Sequence, residues 1–361
     1  MRRFVFRLHL WVGIATGLYI VVVCLTGAAL VFRIDMQRVR HPHLFTPRAS
    51  GSVAEPVRVM ERVSQAYPRH RLSGVEAPTS RRPTYLAYVT TERDFVTVLI
   101  DPVSTEILGE LPQDPFIASV QRLHFDLMGG RTGRMINGVG AGCILVMCAT
   151  GLVIWWPGTK RWRGGFVVDV SRDARRMVWE LHRAIGIWTV AFLAMFAITG
   201  LSFVFPTQFR AAVHAISPIT VTRAPTSVEA PMTVSPPTWP DVIARARQER
   251  PGEHVARVVL PSNGRAAFLI MFSNRSPTPA GSRLSSVYLD QYSGDVLAAP
   301  QSSRTIGDVI MAWVTPLHVG GFGGAVWRWL WFLLGLAPPL LFISGVTMWW
   351  ARVVRPRSSS S

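Results

Sequence analysis

The chain has 361 residues, of which 49% are hydrophobic and 16% charged, and its formal net charge is +17. This low charged fraction, together with 13 tryptophans, is typical of a polytopic membrane protein and argues against a single soluble domain. The basic balance does not indicate nucleic-acid binding, because much of the surplus lies in short segments beside apolar runs, where membrane topology accounts for it.

Four apolar segments are long enough to cross a bilayer core of about 30 Å as helices. They cover residues 10–32, 135–156, 184–205 and 326–350. Thirteen cations but only three acids occupy the N-terminus, the short loop 157–183 and the C-terminus. By the positive-inside rule, both termini and this loop are predicted to be cytoplasmic, and the long segments 33–134 and 206–325 are predicted to face outward.

Each long segment predicts one small α/β domain. Residues 52–68 and 239–251 have the pattern of amphipathic helices that end at proline. The runs TYLAYVT, FVTVLIDPVSTEIL, AAFLIMF and SSVYLDQYSGDVL are typical of strands joined by turns. Asp101 and Asp290 stand at equivalent places before those turns, where turn formation is their expected role. A helix packed on an antiparallel sheet is predicted in each segment.

The two halves of the chain repeat each other. HLWVGIATGLYIVVVCLTGAALVF (9–32) aligns without a gap with HRAIGIWTVAFLAMFAITGLSFVF (182–205). Counted from His124 and from His318, a glycine pair, a Thr-Gly or Ser-Gly pair and a tryptophan pair recur at the same offsets. Each half is therefore predicted to form helix, outward domain, helix, with a pseudo-twofold axis along the membrane normal.

The motifs RLHLWVGIATG, RLHFDLMGGRTGRMINGVGAG, ELHRAIGIWTV and PLHVGGFGGAVWRWL resemble those of the PepSY-associated transmembrane family, as do TGLVIWW and SGVTMWW. The outward segments, with VLIDPVSTEIL and VYLDQYSGDVL, are similar to PepSY domains. The resemblance covers nearly the whole chain. It implies a bacterial inner-membrane protein, and the family includes haem-containing ferrisiderophore reductases linked to iron uptake.

The predicted fold is a membrane α-helical bundle of four transmembrane helices with a two-fold internal repeat and two periplasmic α+β PepSY-like domains. The predicted segments are the cytoplasmic N-terminus and first span (1–33), the first periplasmic domain (34–120), an interface segment and the second span (121–157), the basic cytoplasmic loop (158–180), the third span (181–206), the second periplasmic domain (207–312), and an interface segment, the fourth span and the cytoplasmic tail (313–361).

Four histidines occupy matched places in this topology. His9 and His182 open the odd spans at the cytoplasmic face, and we call them the inner pair. His124 and His318 precede the even spans at the outer face, and we call them the outer pair. A lone histidine at a membrane interface is more often an anchor than a ligand, but duplication at four places favours bis-histidine ligation of two haem b groups. Pairing across the faces is disfavoured by about 30 Å of hydrocarbon.

Residues near these histidines extend the predicted haem sites. A residue four places on shares the face of a helical histidine, and glycine there leaves room for a porphyrin. The glycines given this role are Gly13 and Gly186 at the inner pair and Gly129, Gly130, Gly323 and Gly324 at the outer pair. The arginines expected to meet haem propionates are Arg131, Arg134 and Arg328.

Two further patterns receive weaker interpretations. The pairs at 26–27, 150–151, 199–200 and 344–345 are interpreted as close-packing points, since small residues let helices approach each other. His41 and His43, separated by one proline, are minor candidates for a surface metal site.

The chain contains no recognisable nicotinamide or flavin domain. GVGAG (138–142) lies within a span and GGFGG (320–324) leads into one, so neither follows a strand as a dinucleotide-binding loop does. A P-loop, a serine nucleophile elbow and an H-E-x-x-H motif are also absent from the sequence. Electrons are therefore expected from a separate donor, a quinol or a flavoprotein.

The sequence and the resemblance together predict an oxidoreductase, a dihaem b-type conduit that passes electrons across the lipid bilayer. The resemblance supplies the acceptor, a periplasmic ferric siderophore or ferric chelate that releases iron as Fe(II). One alternative is a PepSY-based binding or regulatory membrane protein, because PepSY domains resemble the pro-regions that restrain some proteases. Another is a haem electron-transfer partner of a different periplasmic enzyme.

Overall fold

The computed structural model describes residues 1–91, 94–156, 162–169, 171, 173–220, 224–227, 236–278, 284–299 and 305–353. The helices are α1 (Arg2–Leu30), α2 (Arg33–Arg40), α3 (Pro42–Phe45), α4 (Pro56–Ala66), α5 (Pro115–Asp126), α6 (Gly130–Trp155), α7 (Ala174–Val204), α8 (Pro206–Ile216), α9 (Trp239–Gln248), α10 (Ile306–Val319) and α11 (Ala325–Val353). The strands are β1 (Arg71–Glu76), β2 (Tyr85–Thr90), β3 (Phe95–Ile100), β4 (Ile107–Glu110), β5 (His254–Val259), β6 (Phe268–Ser273), β7 (Ser285–Leu289) and β8 (Val296–Ala298). The predicted cytoplasmic cations Lys160, Arg161, Arg172, Arg355 and Arg357 lie outside the described residues.

The chain divides into two compact units, of which the first contains Met1–Phe32, Asp114–Ala212 and Val314–Ser361. Its four long helices, α1, α6, α7 and α11, are long and apolar enough to cross a membrane, which confirms the four predicted spans. At one end of the bundle, the Arg2 guanidinium donates to the carbonyls of Ile154 and Trp156, which close α6. At the same end, Arg352 of α11 lies over the ring of Phe6.

The outer histidines lie on helices of their own. His124 is in α5, which ends before Leu127 and Met128 adopt left-handed backbone with φ of 50° and 58°. A Cβ on Gly133 would lie 1.6 Å from the carbonyl oxygen of Asp126. The start of α6 therefore approaches the end of α5 so closely that only glycine fits at position 133.

The second half repeats this break between α10 and α11. His318 lies in α10, and Gly320 then has a φ of 65°. A Cβ on Gly323 would lie 2.2 Å from the Trp327 ring. Gly129, Gly323 and Gly324 therefore lie in the breaks between helices, and Gly130 is the first residue of α6. The sequence analysis assigns these glycines the role of leaving room for a porphyrin.

The second unit contains Arg33–Gln113 and Val213–Trp313 and has one antiparallel sheet in the order β4-β3-β2-β1-β5-β6-β7-β8. Each half of the chain supplies four consecutive strands, as the repeat predicts. The sequence predicts two separate domains, whereas β1 and β5 pair antiparallel and join the halves into one sheet, with Val75 opposite Val258. This pairing satisfies backbone groups that would otherwise form two exposed sheet edges.

The core of this unit lies between the sheet and the helices α4 and α9. Val59, Met60 and Val63 form the buried stripe of α4, at the spacing expected for one helix face. Val242, Ile243 and Ala246 do the same for α9. These stripes pack on alternate strand residues that include Tyr85, Ile100, Ile270 and Leu289. The predicted arrangement of a helix on an antiparallel sheet is present in both halves.

Candidate metal-ligating histidine pairs

The structure brings together the histidines that the repeat pairs. The ring centroids of His9 on α1 and His182 on α7 lie 6.5 Å apart, with an angle of 84° between the ring planes. Those of His124 on α5 and His318 on α10 lie 6.2 Å apart, with an angle of 47°. Both pairs lie within the helical unit, and all four rings are half-buried.

Each of the four rings contacts a hydroxyl group through Nδ1. The distance is 2.9 Å from His9 to Thr150 Oγ1 and 2.8 Å from His182 to Ser344 Oγ. It is 3.2 Å from His124 to Thr26 Oγ1 and 2.8 Å from His318 to Thr199 Oγ1. Every hydroxyl belongs to one of the four Thr-Gly or Ser-Gly pairs, so the repeat supplies both the ring and its partner.

The hydroxyl protons determine the direction of these hydrogen bonds. Each hydroxyl also contacts the carbonyl four residues earlier in its own helix, at 2.7 Å for the three threonines and 2.8 Å for Ser344. A hydroxyl has a single proton to donate, and the carbonyl can only accept it. The hydroxyl oxygen must therefore accept from the ring, which places the imidazole proton on Nδ1.

A backbone carbonyl beside each ring supports the same tautomer. His124 Nδ1 lies 2.9 Å from the carbonyl oxygen of Val23. His9, His182 and His318 also have a backbone hydrogen-bond partner each, on Met147, Leu341 and Phe196 respectively. Each of these residues precedes the bonded threonine or serine by three positions. With the proton held on Nδ1, the Nε2 lone pair of every ring is available to a metal, which is the usual arrangement of metal-binding histidines.

The glycine of each Thr-Gly or Ser-Gly pair gives the imidazole room. A Cβ on Gly27 would lie 2.8 Å from Cε1 of His124. The corresponding distances are 3.4 Å for Gly151 and His9, 3.5 Å for Gly345 and His182, and 3.6 Å for Gly200 and His318. The sequence interpretation placed these pairs at helix–helix packing points. The structure adds a role that it missed, although the shared offsets from the histidines were a signal that could have revealed it.

The two pairs lie at opposite ends of the helical unit. Thr26, which contacts the outer pair, follows His9 by seventeen residues on α1. Thr199, which contacts His318, follows His182 by the same interval on α7. At a rise of 1.5 Å per residue, about 25 Å separate the inner from the outer pair along the helix axes. Only the pairings of His9 with His182 and of His124 with His318 are therefore geometrically possible.

The centroid separations fit two imidazoles on opposite sides of one metal ion. With metal–nitrogen bonds of about 2.0 Å and about 1.1 Å from nitrogen to centroid, trans imidazoles have centroids about 6.2 Å apart. Within the described residues, no group of three or more His, Cys, Asp and Glu side chains is placed to hold a metal. Two nitrogens suit a metal whose other ligands come from a macrocycle, and haem iron accepts axial histidine. The residues present therefore fit haem.

Gly13 and Gly186, one turn after the inner histidines, face neighbouring helices. A Cβ on Gly13 would lie 3.0 Å from Cε of Met147, and one on Gly186 would lie 3.9 Å from Cδ2 of Leu341. Met147 and Leu341 are the same residues whose backbones bind the inner rings. The two glycines thus occupy equivalent places beside the inner pair, at the contacts of α1 with α6 and of α7 with α11.

The arginines expected near the outer pair lie at the correct end of the bundle. Arg131 and Arg134 are exposed in the first turns of α6, and Arg328 is half-buried in the first turn of α11, 6.0 Å over the Phe32 ring. Arg134 precedes Thr150 by sixteen residues and Arg328 precedes Ser344 by the same interval. These two guanidinium groups are therefore about 24 Å from the inner end, at the level of the outer pair.

The helices that carry the outer histidines are anchored at equivalent positions. Asn137 of α6 donates from Nδ2 to the backbone carbonyl of His124 at 2.8 Å. Trp331 occupies the matching position of α11 and donates from Nε1 to the carbonyl of Leu317 at 2.7 Å. Aromatic rings also surround His318, with Phe203 at 5.2 Å between ring centroids. These contacts limit the rotation of the outer rings.

His41 and His43 form a useful contrast. Their ring centroids are also 6.5 Å apart, yet among the described residues neither ring has the hydroxyl contact that all four repeat-matched histidines share. Proximity of two rings therefore does not distinguish a ligand pair, and the Nδ1–hydroxyl contact is the feature that sets the four repeat-matched histidines apart from His41 and His43.

Comparison with known proteins identifies the family. The sequence model of a family described as the PepSY-associated TM region matches residues 6–352, which is nearly the whole chain. No curated protein matches the chain. The matched range includes both histidine pairs and all four helices that can cross a membrane. The chain therefore belongs to the family of PepSY-associated transmembrane proteins.

Proposed function

We propose that this membrane protein is a dihaem b-type electron conduit that delivers electrons to a ferric siderophore or ferric chelate. The observation that carries the proposal is the common state of the four histidines. Each Nδ1 is hydrogen-bonded to a hydroxyl, each Nε2 lacks a hydrogen-bond partner among the described residues, and the rings form two pairs about 25 Å apart. A simple structural role would not require the same tautomer four times.

Residues of the protein would hold each haem and orient the histidines that bind it. His9 and His182 would hold the inner haem, and His124 and His318 the outer haem. The Nδ1 hydrogen bonds would keep each Nε2 available to the metal and would increase its basicity. Held by two histidines, each haem would supply one-electron chemistry and would leave no open position for dioxygen.

Charge supports the proposed orientation in a bacterial inner membrane. Among the described residues, the arginines of the N-terminus, of the start of α7 and of the end of α11 lie at the end of the helical unit that contains the inner pair. The positive-inside rule assigns that end, with both termini, to the cytoplasm. The outer pair would then stand near the periplasmic face, where a ferric chelate is accessible. The donor on the other side would be a quinol or a flavoprotein.

The acceptor follows from the family resemblance and from iron chemistry. Siderophores bind Fe(III) through hard oxygen donors, and this binding weakens when the metal charge falls. Transfer of one electron to the chelate produces Fe(II) and leaves the chelator intact. The acceptor is therefore reduced by one electron for each iron released, and no bond of the chelator breaks.

The first experiment measures haem per polypeptide and the reduced-minus-oxidised visible spectrum of the purified full chain. We expect two low-spin b-type haems. Replacement of His9 and His182 by alanine should remove one, and replacement of His124 and His318 should remove the other. The matched control is the double replacement of His41 and His43, a pair at the same ring separation that should retain both haems. Protein made with adequate haem supply that binds none would contradict the proposal.

The second experiment tests the acceptor. Protein reduced with a stoichiometric amount of dithionite is mixed anaerobically with a ferric hydroxamate or catecholate, and Fe(II) is trapped by a chromogenic chelator. One Fe(II) should appear for each haem oxidised. If the protein retained both haems but no ferric chelate reoxidised them, the ferric-chelate assignment would be contradicted. The protein would then be a conduit to another periplasmic acceptor.

A further inference from the structure

A basic cavity lies at the inner end of the helical unit and includes none of the four paired histidines in its lining. It adjoins the inner pair, because Trp179 and Met348 lie one helical turn from His182 and from its partner Ser344. The cavity has a volume of about 380 Å³ and is lined by Asp173, Arg175, Arg176, Trp179, Met348 and Arg352. These residues come from the first turns of α7, with the residue that precedes it, and from the last turns of α11. We call it the arginine cavity.

The arginine cavity carries excess positive charge. The Asp173 carboxylate caps α7 by accepting from the backbone N–H of Arg176 at 3.1 Å. The Arg176 guanidinium pairs with Glu180 at 3.0 Å and lies 4.4 Å from the ring centre of Trp179. Among the described residues, no carboxylate forms an ion pair with Arg175 or Arg352, and both side chains are exposed. Two guanidinium groups are thus available to an anion.

Trp179, on the α7 side of the arginine cavity, lies at the depth of lipid headgroups. Helix α7 has 31 residues and is therefore about 46 Å long, more than the roughly 30 Å of a hydrocarbon core. The apolar run of α7 begins at residue 184, five residues or about 7.5 Å beyond Trp179. Each headgroup layer is about 5–8 Å thick. Trp179 therefore stands in that layer when the apolar run fills the hydrocarbon core.

The lining changes from apolar to charged along the bundle axis. Met348 belongs to the apolar run of α11, whereas Arg352 follows that run. Trp179 stands at the boundary, where amphipathic aromatic rings are favoured. A ligand that matches this lining needs an apolar part next to Met348 and an anionic part next to Arg175 and Arg352. A free phosphate ion would leave the apolar part of this lining unmatched.

We propose that the arginine cavity binds the phosphate headgroup of an anionic phospholipid of the cytoplasmic leaflet. The phosphodiester accepts from the guanidinium groups of Arg175 and Arg352, and the glycerol and first acyl carbons contact Trp179 and Met348. Arginine donors fit phosphate oxygens in a bidentate manner, and basic pockets between membrane helices at this face are suited to anionic headgroups. This assignment rests on the proposed cytoplasmic orientation of the inner end.

The test uses the delipidated full chain in neutral detergent and native mass spectrometry with phosphatidylglycerol as the probe. The test variant is R175Q/R352Q. The matched control is R3Q/R7Q, which removes two exposed arginines from the first turns of α1. Neither of them lines the cavity. Phosphatidylcholine and inorganic phosphate form the two comparison arms. A thermal melt of each variant establishes that it is folded.

We expect saturable binding of phosphatidylglycerol, weaker by about fivefold for each arginine removed from the cavity and unchanged in the control. Phosphatidylcholine should bind more weakly than phosphatidylglycerol to the unmodified chain. Equal affinity of the test variant and the control for phosphatidylglycerol would overturn the proposal. It would also be overturned if inorganic phosphate competed as effectively as the lipid, or if the test variant retained lipid and lost only reduction by a protein donor.

Discussion

The Oγ1 atom of Thr199 lies 2.8 Å from Nδ1 of His318 while its own proton is directed to the Met195 carbonyl 2.7 Å away. The hydroxyl is therefore an acceptor, and the histidine is held as its Nδ1–H tautomer. Three other hydroxyls, on Thr26, Thr150 and Ser344, stand in the same relation to His124, His9 and His182.

Removal of one such hydroxyl should weaken the corresponding haem site without abolishing it. In T199V the shape is nearly unchanged, but His318 retains only its backbone hydrogen bond. We expect about tenfold weaker binding of the outer haem and a higher midpoint potential, because a less basic imidazole stabilises the ferric form less well. Haem titration and a potentiometric titration measure both quantities.

The control for this prediction is T189V on the same helix. Thr189 is buried and donates to the Ile185 carbonyl at 2.7 Å, but it contacts none of the four paired histidines. If T199V and T189V gave the same affinity and potential, the Nδ1 contact would have no role in ligation.

Alanine substitution of the ring-facing glycines should produce a graded series. A new Cβ would lie 2.8 Å from Cε1 of His124 in G27A but 3.6 Å from Cε1 of His318 in G200A. The first distance is a clash and the second is an ordinary van der Waals contact. G27A should therefore reduce outer haem occupancy severalfold, whereas G200A should retain it. G142A, where nothing lies within 4 Å of the new Cβ, is the control. The reverse order of occupancy would contradict the ring positions.

The two sites should differ in ferric low-spin EPR spectra. The inner ring planes are nearly perpendicular at 84°, and the outer planes are inclined at 47°. Perpendicular imidazoles interact almost equally with the two iron orbitals that carry the unpaired electron, so the orbitals approach degeneracy and the g anisotropy increases. The larger g anisotropy should therefore disappear in H9A/H182A and remain in H124A/H318A. Loss of the more anisotropic signal in the outer variant would refute this assignment.

Asp101 should make the sheet unit sensitive to acid. Burial raises the pKa of its carboxyl, but hydrogen bonds from the backbone N–H groups of Ser104, Arg48, Val103 and Ala49 outweigh burial and lower the pKa to about 2. An unfolded aspartate titrates near 3.9, so the folded unit binds fewer protons between about pH 4 and pH 2. The stabilisation is therefore complete above this window and is lost as the pH falls through it.

Hydrogen exchange of β3 and β4 in the full chain measures this dependence. Protection should decrease between about pH 4 and pH 2 in the unmodified protein and vary less with pH in D101N. D101N should also be destabilised by about 2–3 kcal/mol at neutral pH, since buried N–H donors lose acceptors. E61Q, which changes an exposed carboxylate on α4, is the control and should retain the original pH dependence. An unchanged profile in D101N would show that Asp101 does not stabilise this turn.

The turn-forming role of Asp101 was anticipated from its position, because the donors Val103 and Ser104 are close in sequence. Its contacts with the backbone of Arg48 and Ala49, more than fifty residues earlier, were not. The same locality made the strands and the helices α4 and α9 predictable. The joining of β1 to β5 was not predictable, because the repeat defines each half but does not show whether the halves pair. Gly74 shows the tertiary reason, since a Cβ there would lie 2.4 Å from the Val258 carbonyl oxygen of the other half.

The sequence by itself determined the four membrane-crossing helices and the two-fold repeat, since hydrophobic length and matched offsets along the chain are sufficient for both. It also predicted the matched places of the four histidines. Only the tertiary structure decided that each histidine meets a threonine or serine from another helix, and that the neighbouring glycine leaves room for its ring. Those contacts join residues more than ninety positions apart, and their geometry depends on how the helices pack.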